Sequence, residues 1–387
     1  MNSSFKIISR IIKKVTNKNS AKLHTPFFIG KENLYLKDCI KSTFVSTSGK
    51  YIEQFEKKIK KFTGAKHAVA VVNGTVALQV ALRALGVQMY DEILIPSLTF
   101  VATANAVKHC GAIPHFIDSN EKSLGLCLNN LEEHLKKKSI KRGRHIYNRT
   151  TGRRIYAIIP VHVYGHITNM KKLRAIAKKL NLKVLEDAAE SLGSFYLGKH
   201  AGTMGDAGIL SFNANKIITT GGGGMILTGN SLLAKQIRHL ISTAKLPHPW
   251  KFIHDKVAWN YRMPNINAAL GCAQIEKIIT ILKYKKKITE SYQKEFKTFN
   301  DISFIHQPEG CKSNYWLNTI RVKNLKIAKR DLLLKKLNNN YFECRPAWKL
   351  LHKLKMFRGC PKSKLNNSEK LESELITLPS SPVYGRR

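Results

Sequence analysis

The stretch Ala68-Val69-Ala70-Val71-Val72-Asn73-Gly74-Thr75-Val76-Ala77-Leu78 decides the fold. Its first five residues are small or β-branched and apolar without interruption. Such a run reads as a strand covered on both faces. Asn73-Gly74 turns the chain, and the spacing from Thr75 to Leu85 predicts a helix. The unit then recurs. Glu92–Pro96, Ile113–Ile117, Tyr156–Val163, Lys183–Leu185, Gly208–Phe212 and Met225–Thr228 read as strands. Thr99–His109, Met170–Leu180 and Leu232–Ser242 read as helices. Strands alternating with helices predict an α/β architecture with a large, mostly parallel sheet. From about residue 275 the texture changes. A Lys-rich helical stretch, Ile275–Phe299, leads into shorter pieces that predict a small C-terminal α+β domain. The expected organisation is a basic N-terminal extension (1–25), a large domain (26–275) and a small domain (276–387).

Composition limits the function classes. The 387 residues carry 66 Lys+Arg against 25 Asp+Glu, a formal charge of +41. Hydrophobic content of 43% excludes a disordered basic tail. No apolar run approaches the roughly 20 residues that span a bilayer. Cys39, Cys110, Cys127, Cys272, Cys311, Cys344 and Cys360 are scattered and form no CxxC pair. That pattern argues against a disulfide framework or zinc site and fits a reducing cytoplasm. The charge alone invites a nucleic-acid reading, yet no nucleic-acid-binding signature accompanies it. Lys136–Arg154, with nine basic residues and no acid, reads as an exposed connection. At the N-terminus, Phe5, Ile8, Ile11, Ile12 and Val15 share one helical face, which suits a helix leaning on the body or on a membrane surface.

Five segments carry chemistry. Asn73-Gly74-Thr75 opens a helix after a strand, and such a helix start favours an anionic phosphate. Phe100 follows a strand end, where an aromatic ring can cover another planar ring. Glu186-Asp187 closes an apolar strand at the carboxyl edge of the sheet, where α/β proteins bind ligands. A carboxylate there can keep a ring nitrogen protonated. Lys216 follows Ser211-Phe212-Asn213-Ala214-Asn215 and precedes four glycines, Gly221 to Gly224. A lysine so placed suits Schiff-base chemistry, and the glycines permit close approach. Trp259-Asn260-Tyr261-Arg262 offers polar and cationic groups for phosphate or carboxylate. A phosphate cradle, a stacking ring, a carboxylate and a lysine are the protein's share of pyridoxal 5′-phosphate (PLP) chemistry.

With these residues in view, the chain resembles the DegT/DnrJ/EryC1/StrS sugar aminotransferases. The resemblance runs from about Phe27 to Ser381. It is carried by Asn73–Leu78, Pro96–Asn105, Pro160–His166, Glu186–Gly193, Ser211–Gly224 and Asn260–Gln274. Ser211–Thr220 and Ser313-Asn314-Tyr315-Trp316-Leu317 are similar to the LegC-like subgroup, which aminates nucleotide-linked 2-acetamido-4-keto-6-deoxy sugars. The resemblance implies the fold-type-I, aspartate aminotransferase-like architecture, PLP as cofactor, glutamate as amino donor and a homodimer with shared sites. It also implies a cytoplasmic role in making surface polysaccharide or nonulosonic acid, with no nucleic acid or integral membrane partner. By motif, Lys216 would bind the cofactor and shuttle the proton, Asp187 would hold the ring nitrogen and Phe100 would stack on the ring. Gly74, Thr75, Val76 and Ser211 would bind the phosphate, and Asn260 would reach the neighbouring subunit's cofactor. Glu190 stands where many relatives have Gln, near the cofactor's phenolic oxygen. His162, Tyr164, Arg262 and His352 would line the sugar-nucleotide site. Gly222 departs from the common family pattern, which carries Glu there.

Alternatives stay open at this point. A GDP-perosamine-type synthase would use the same machinery on another sugar. A sugar dehydratase of the same fold would carry His in place of Lys216. A basic nucleic-acid-binding protein on an inactive scaffold would explain the charge alone.

Overall fold

The computed structural model describes residues 2–386; Met1 and Arg387, the outermost residues of the expected extension and small domain, lie outside the described residues. A nine-stranded sheet forms the body. Its main path runs His67–Val71, Gly224–Thr228, Ala207–Ser211, Lys183–Asp187, Arg154–Ile158, Glu92–Pro96, Ile113–Ile117. From Ala207–Ser211 to Ile113–Ile117 the neighbours are parallel. Gly224–Thr228 runs antiparallel to both of its neighbours.

Parallel neighbours require crossovers, which helices supply except between Lys183–Asp187 and Ala207–Ser211, where two short strands, Phe195–Tyr196 and Lys199–His200, lie in the connection. Consecutive strand residues alternate between two cores. Leu94, Ile117, Val184 and Leu210 pack on one face. Ile93, Ile95, Phe116, Leu185 and Ile209 pack on the other. That is why the strand segments read as unbroken apolar runs. Three helices that follow strands of this sheet start at an asparagine. Asn73, Asn169 and Asn230 accept the N–H of Val76, Lys172 and Leu233 at 2.9, 3.0 and 3.1 Å. Each such cap contributes about 1 kcal/mol to its helix.

A four-stranded antiparallel sheet, Ile302–Phe304, Thr319–Val322, Leu375–Thr377, Arg345–Pro346, forms a second layer. The N-terminal helix Asn2–Thr16 belongs to its core. Ile8, Ile11 and Ile12 are buried with Ile288, Tyr292 and Phe296 and with Leu333 and Leu337. The helix's apolar face is therefore spent inside the protein, and no membrane surface can use it. Among the described residues, no helix is long and apolar enough to cross a membrane. Five of the seven cysteines are buried, as expected of small apolar side chains.

Two elements differ from the sequence reading. Lys136–Arg154 is largely exposed, as expected, but it is regular structure: Ser139–Arg142 and His145–Asn148 form a hairpin that pairs with Arg154–Ile158. Ile146 and its partner Ile155 on the adjoining strand are buried together and supply the apolar face that the charge count hides. The expected helix Ile275–Phe299 is Ile278–Phe296, and a separate helix, Asn265–Glu276, ends just before it. The break is a tightened turn in which the Lys277 N–H reaches Gln274 O at 3.0 Å. No glycine or proline marks it in the sequence.

Candidate functional site

A cavity of about 360 Å³ opens at the carboxyl ends of the parallel strands. It takes Asp187 and Glu190 from one strand end, Ser211 and Lys216 from the next, and Gly74 and Thr75 from the start of helix Gly74–Ala84. Phe100 lines it too and is half exposed, free to cover a planar ligand.

The helix start is shaped for a close neighbour. A Cβ on Gly74 would stand 3.1 Å from Ser211 Cβ, so glycine lets the Ser211 hydroxyl approach the helix terminus. A Cβ on Gly224 would stand 2.5 Å from Asn73 O and could not be accommodated. The first N–H groups of a helix have no intrahelical acceptor. Val76 gives its own to Asn73 Oδ1 and does not line the cavity. Gly74 and Thr75 are left to meet an anion, with the hydroxyls of Thr75 and Ser211 beside them.

Strand alternation separates the two acids that are adjacent in sequence. Glu186 is fully buried away from the cavity and accepts hydrogen bonds from His162 Nε2 and from the N–H groups of Gly202, Met204 and Gly205. It holds a loop in place. Asp187 faces the cavity. Its Oδ2 accepts from Thr103 Oγ1 at 2.8 Å, and its Oδ1 from the Ala189 N–H at 3.2 Å. Burial raises its pKa, and these two donors and the charge of Lys216 oppose the rise.

Lys216 Nζ lies 3.6 Å from Glu190 Oε1 and 3.8 Å from the centre of the Trp316 ring. Burial lowers the lysine's pKa, and Glu190 and Asp187 pull it back. Burial pushes Glu190 up to about 7, against the charge of Lys216 and the Tyr164 N–H. Tyr164 makes that 2.8 Å bond from a left-handed backbone with φ of 54°. A non-glycine residue held there carries about 1–2 kcal/mol of strain. Its ring packs 5.0 Å from Trp348, which lines the cavity, so Tyr164 supports the wall from behind.

Of the residues expected to line a sugar-nucleotide site, none lines this cavity. His162 is fully buried against Glu186. Tyr164 is the support just described. His352 is buried on Ser97 Oγ at 2.8 Å. Arg262 and Asn260 are exposed outside it, where they pair with Val71 and Ser242. Those four residues lie outside this chain's own cavity, and Asn260 faces outward.

The lining residues that sequence reading gave no role include Thr103, Trp316, Trp348 and Asn215. Thr103, Asn215 and Trp316 fall within stretches that carried the family resemblance, which was the available signal; Trp348 does not. Trp316 is set by Asn314, whose Oδ1 accepts the Trp316 N–H at 2.8 Å while its amide donates to Glu190 O and Leu192 O. The indole N–H donates to Asn215 O at 2.6 Å.

The donor set fits PLP. A phosphate would meet Gly74, Thr75 and Ser211, a pyridinium nitrogen would meet Asp187, and an aldehyde would meet Lys216. A larger groove of about 840 Å³ lies between the basic hairpin and helices Leu128–Lys138 and Met170–Leu180, remote from this chemistry.

A family model described as the DegT/DnrJ/EryC1/StrS aminotransferase family matches residues 28–386. A GDP-perosamine synthase from Escherichia coli O157:H7 is 35% identical over 361 residues, 93% of each chain. A UDP-4-amino-4,6-dideoxy-N-acetyl-beta-L-altrosamine transaminase from Campylobacter jejuni subsp. jejuni is 32% identical over 289 residues, 74% of this chain and 69% of that one. The crystal structure of a DegT DnrJ EryC1 StrS aminotransferase from Brucella abortus superposes with a TM-score of 0.80 at 26% identity, over 91% of this chain and 90% of that one. The expected fold is borne out.

Proposed function

The chain belongs to the DegT/DnrJ/EryC1/StrS family of PLP-dependent sugar aminotransferases, and from that premise we propose that it aminates the C4 ketone of a nucleotide-linked 2-acetamido-4-keto-6-deoxy sugar, with glutamate as amino donor. The observation that carries the reading is the single cavity in which Lys216, Asp187 and the start of helix Gly74–Ala84 converge.

Bound there, PLP supplies an electron sink and a carrier for the amino group. Lys216 holds the cofactor and moves the proton at the reacting carbon. Its lowered pKa suits both tasks, because a neutral amine is the nucleophile and the base. Asp187, fixed by Thr103 and the Ala189 N–H, keeps the ring nitrogen charged. Gly74, Thr75 and Ser211 anchor the phosphate, and Phe100 covers the ring. Glu190 sits beside Lys216 and tunes its charge. Asn260 and Arg262, exposed on one chain, serve the neighbouring subunit of a homodimer. The enzyme works in the cytoplasm, supplying an amino sugar for a surface polysaccharide or nonulosonic acid.

A second reading has its own support. The Escherichia coli relative spans nearly the whole chain and is a GDP-perosamine synthase, which favours a GDP-linked substrate. Incubation with glutamate and a panel of UDP- and GDP-linked 4-keto-6-deoxy sugars, with products read by mass and NMR, decides between them. Amination of the UDP-linked acetamido sugar supports the first reading. Amination of the GDP-linked sugar alone replaces it with the second, and no amination of any member overturns both.

A further inference from the structure

Trp316 grips Lys216 at both ends. Its ring centre lies 3.8 Å from Lys216 Nζ. Its indole N–H donates at 2.6 Å to the carbonyl of Asn215, the residue just before the lysine. Asn213, Ala214 and Asn215 are exposed, so that bond anchors an open turn. The other cations seated on rings among the described residues join partners no more than seven positions apart. Lys216 and Trp316 are a hundred positions apart, so the fold, and not the local chain, brings them together.

Trp316 is itself firmly held and buried. Its backbone N–H donates to Asn314 Oδ1, and its carbonyl accepts from Nζ of the fully buried Lys285, each at 2.8 Å. Lys285 also donates to Ser380 O at 2.6 Å, which fixes the amino group from a second side. The Asn314 amide donates to Glu190 O, and Glu190 Oε1 lies 3.6 Å from Lys216 Nζ. Asn314 thus sets both the ring and the carboxylate that flank the amine. The two flanking groups differ in kind. Glu190 can take a proton from the amine, and a ring face cannot. The ring attracts the charged amine through its quadrupole and leaves the proton in place. Asp187 is the other charge acting on Lys216.

We propose that Trp316 is a positioning residue for Lys216, its ring face seating the charged amine whenever that amine is not joined to the cofactor. This rests on the reading of Lys216 as the residue that holds PLP and moves the proton. A long, flexible side chain released into a cavity of about 360 Å³ has several places to go. The ring returns it to one place, beside Glu190 and within the cavity that Asp187 also lines.

The test measures the titration midpoint of Lys216 in the full-length, cofactor-free protein. The midpoint is taken from the pH dependence of the lysine's acetylation rate, read by mass spectrometry on the peptide that carries it. Wild type is compared with Trp316→Leu, Trp316→Met and Trp316→Phe. Losing the ring removes a group that favours the charged amine, so the midpoint is expected about one pH unit lower in the Leu and Met variants. Trp316→Phe keeps a ring without the N–H, and its midpoint is expected to fall by roughly half as much or less. Met fills space flexibly and carries the comparison if Trp316→Leu does not fold. An unchanged midpoint in the ring-free variants overturns the proposal. An equal fall in Trp316→Phe also overturns it, since that would assign the effect to packing or to the lost N–H bond. PLP is then added to wild type and to Lys216→Ala. Visible absorption present in wild type and lost in Lys216→Ala supports the reading on which the proposal rests. Its absence in wild type sinks that reading, and the proposal with it, whatever the midpoints show.

Discussion

Thr103 Oγ1 donates a hydrogen bond to Asp187 Oδ2 at 2.8 Å, deep beneath the candidate active site. Both residues are buried, so the carboxylate has little freedom to turn. Replacing Thr103 by Val keeps the volume and removes the donor. The expected result is a fall in kcat of about tenfold, the value of one hydrogen bond to a charged group. Asp187→Asn removes the charge itself and should cost at least a hundredfold. Steady-state kinetics check both, and a Thr103→Val enzyme as active as wild type would deny Thr103 any positioning role.

Among the described residues, Lys216 is the one lysine lining the cavity. Lys216→Ala should abolish the visible absorption of the lysine-bound cofactor and lower turnover by at least a thousandfold. Unchanged turnover would end the assignment.

Glu190 links pH to stability. Its pKa in the folded protein is raised to about 7, above the roughly 4.3 of an unfolded glutamate. The stabilisation from its bound proton is complete below the lower value and is lost as pH rises through about 7. Gln cannot ionise, so the melting temperature of cofactor-free Glu190→Gln should gain on wild type between pH 5 and pH 8. A constant difference across that range would contradict the linkage.

Gly74 is where a single methyl group tests the phosphate cradle. A Cβ there stands 3.1 Å from Ser211 Cβ, so the neighbouring strand end must shift by a few tenths of an ångström. Overpacking of this kind costs about 1–3 kcal/mol. Gly74→Ala should weaken PLP binding about tenfold while leaving the fold intact, as measured by cofactor titration.

The N-terminal helix offers a test far from the chemistry. Ile12 is fully buried among residues of helices Ile278–Phe296 and Ile327–Asn339. Ile12→Ala should destabilise the protein by about 2–4 kcal/mol in urea unfolding. A loss below 0.5 kcal/mol would mean the helix is not part of the folded core.

Particular residues show what the sequence could reveal. The run Ala68–Val72 declared a covered strand, because a strand buried on both faces has no polar alternation to hide it. Asn73 declared a helix start through its capping chemistry. Lys216, Asp187 and Gly74 could be named because each sits at a strand end or helix start, and those positions are local. Glu186 and Asp187 could not be told apart in the same way. Alternation says that they face opposite sides, but only the packed sheet decides which side holds the cavity.

The opening stretch and its repeats thus determined the fold class and the chemical types at the site, since both follow from short-range periodicity and turn chemistry. Tertiary structure alone decided the pairings made across long separations. It placed Thr103 beneath Asp187, Trp316 against Lys216, and the N-terminal helix in the core of the C-terminal layer. It also withdrew His162 and His352 from the cavity by pairing them with Glu186 and Ser97. The physical reason is common to all of these. A side chain's partner is set by where the backbone brings other segments, and that information is spread over the whole chain.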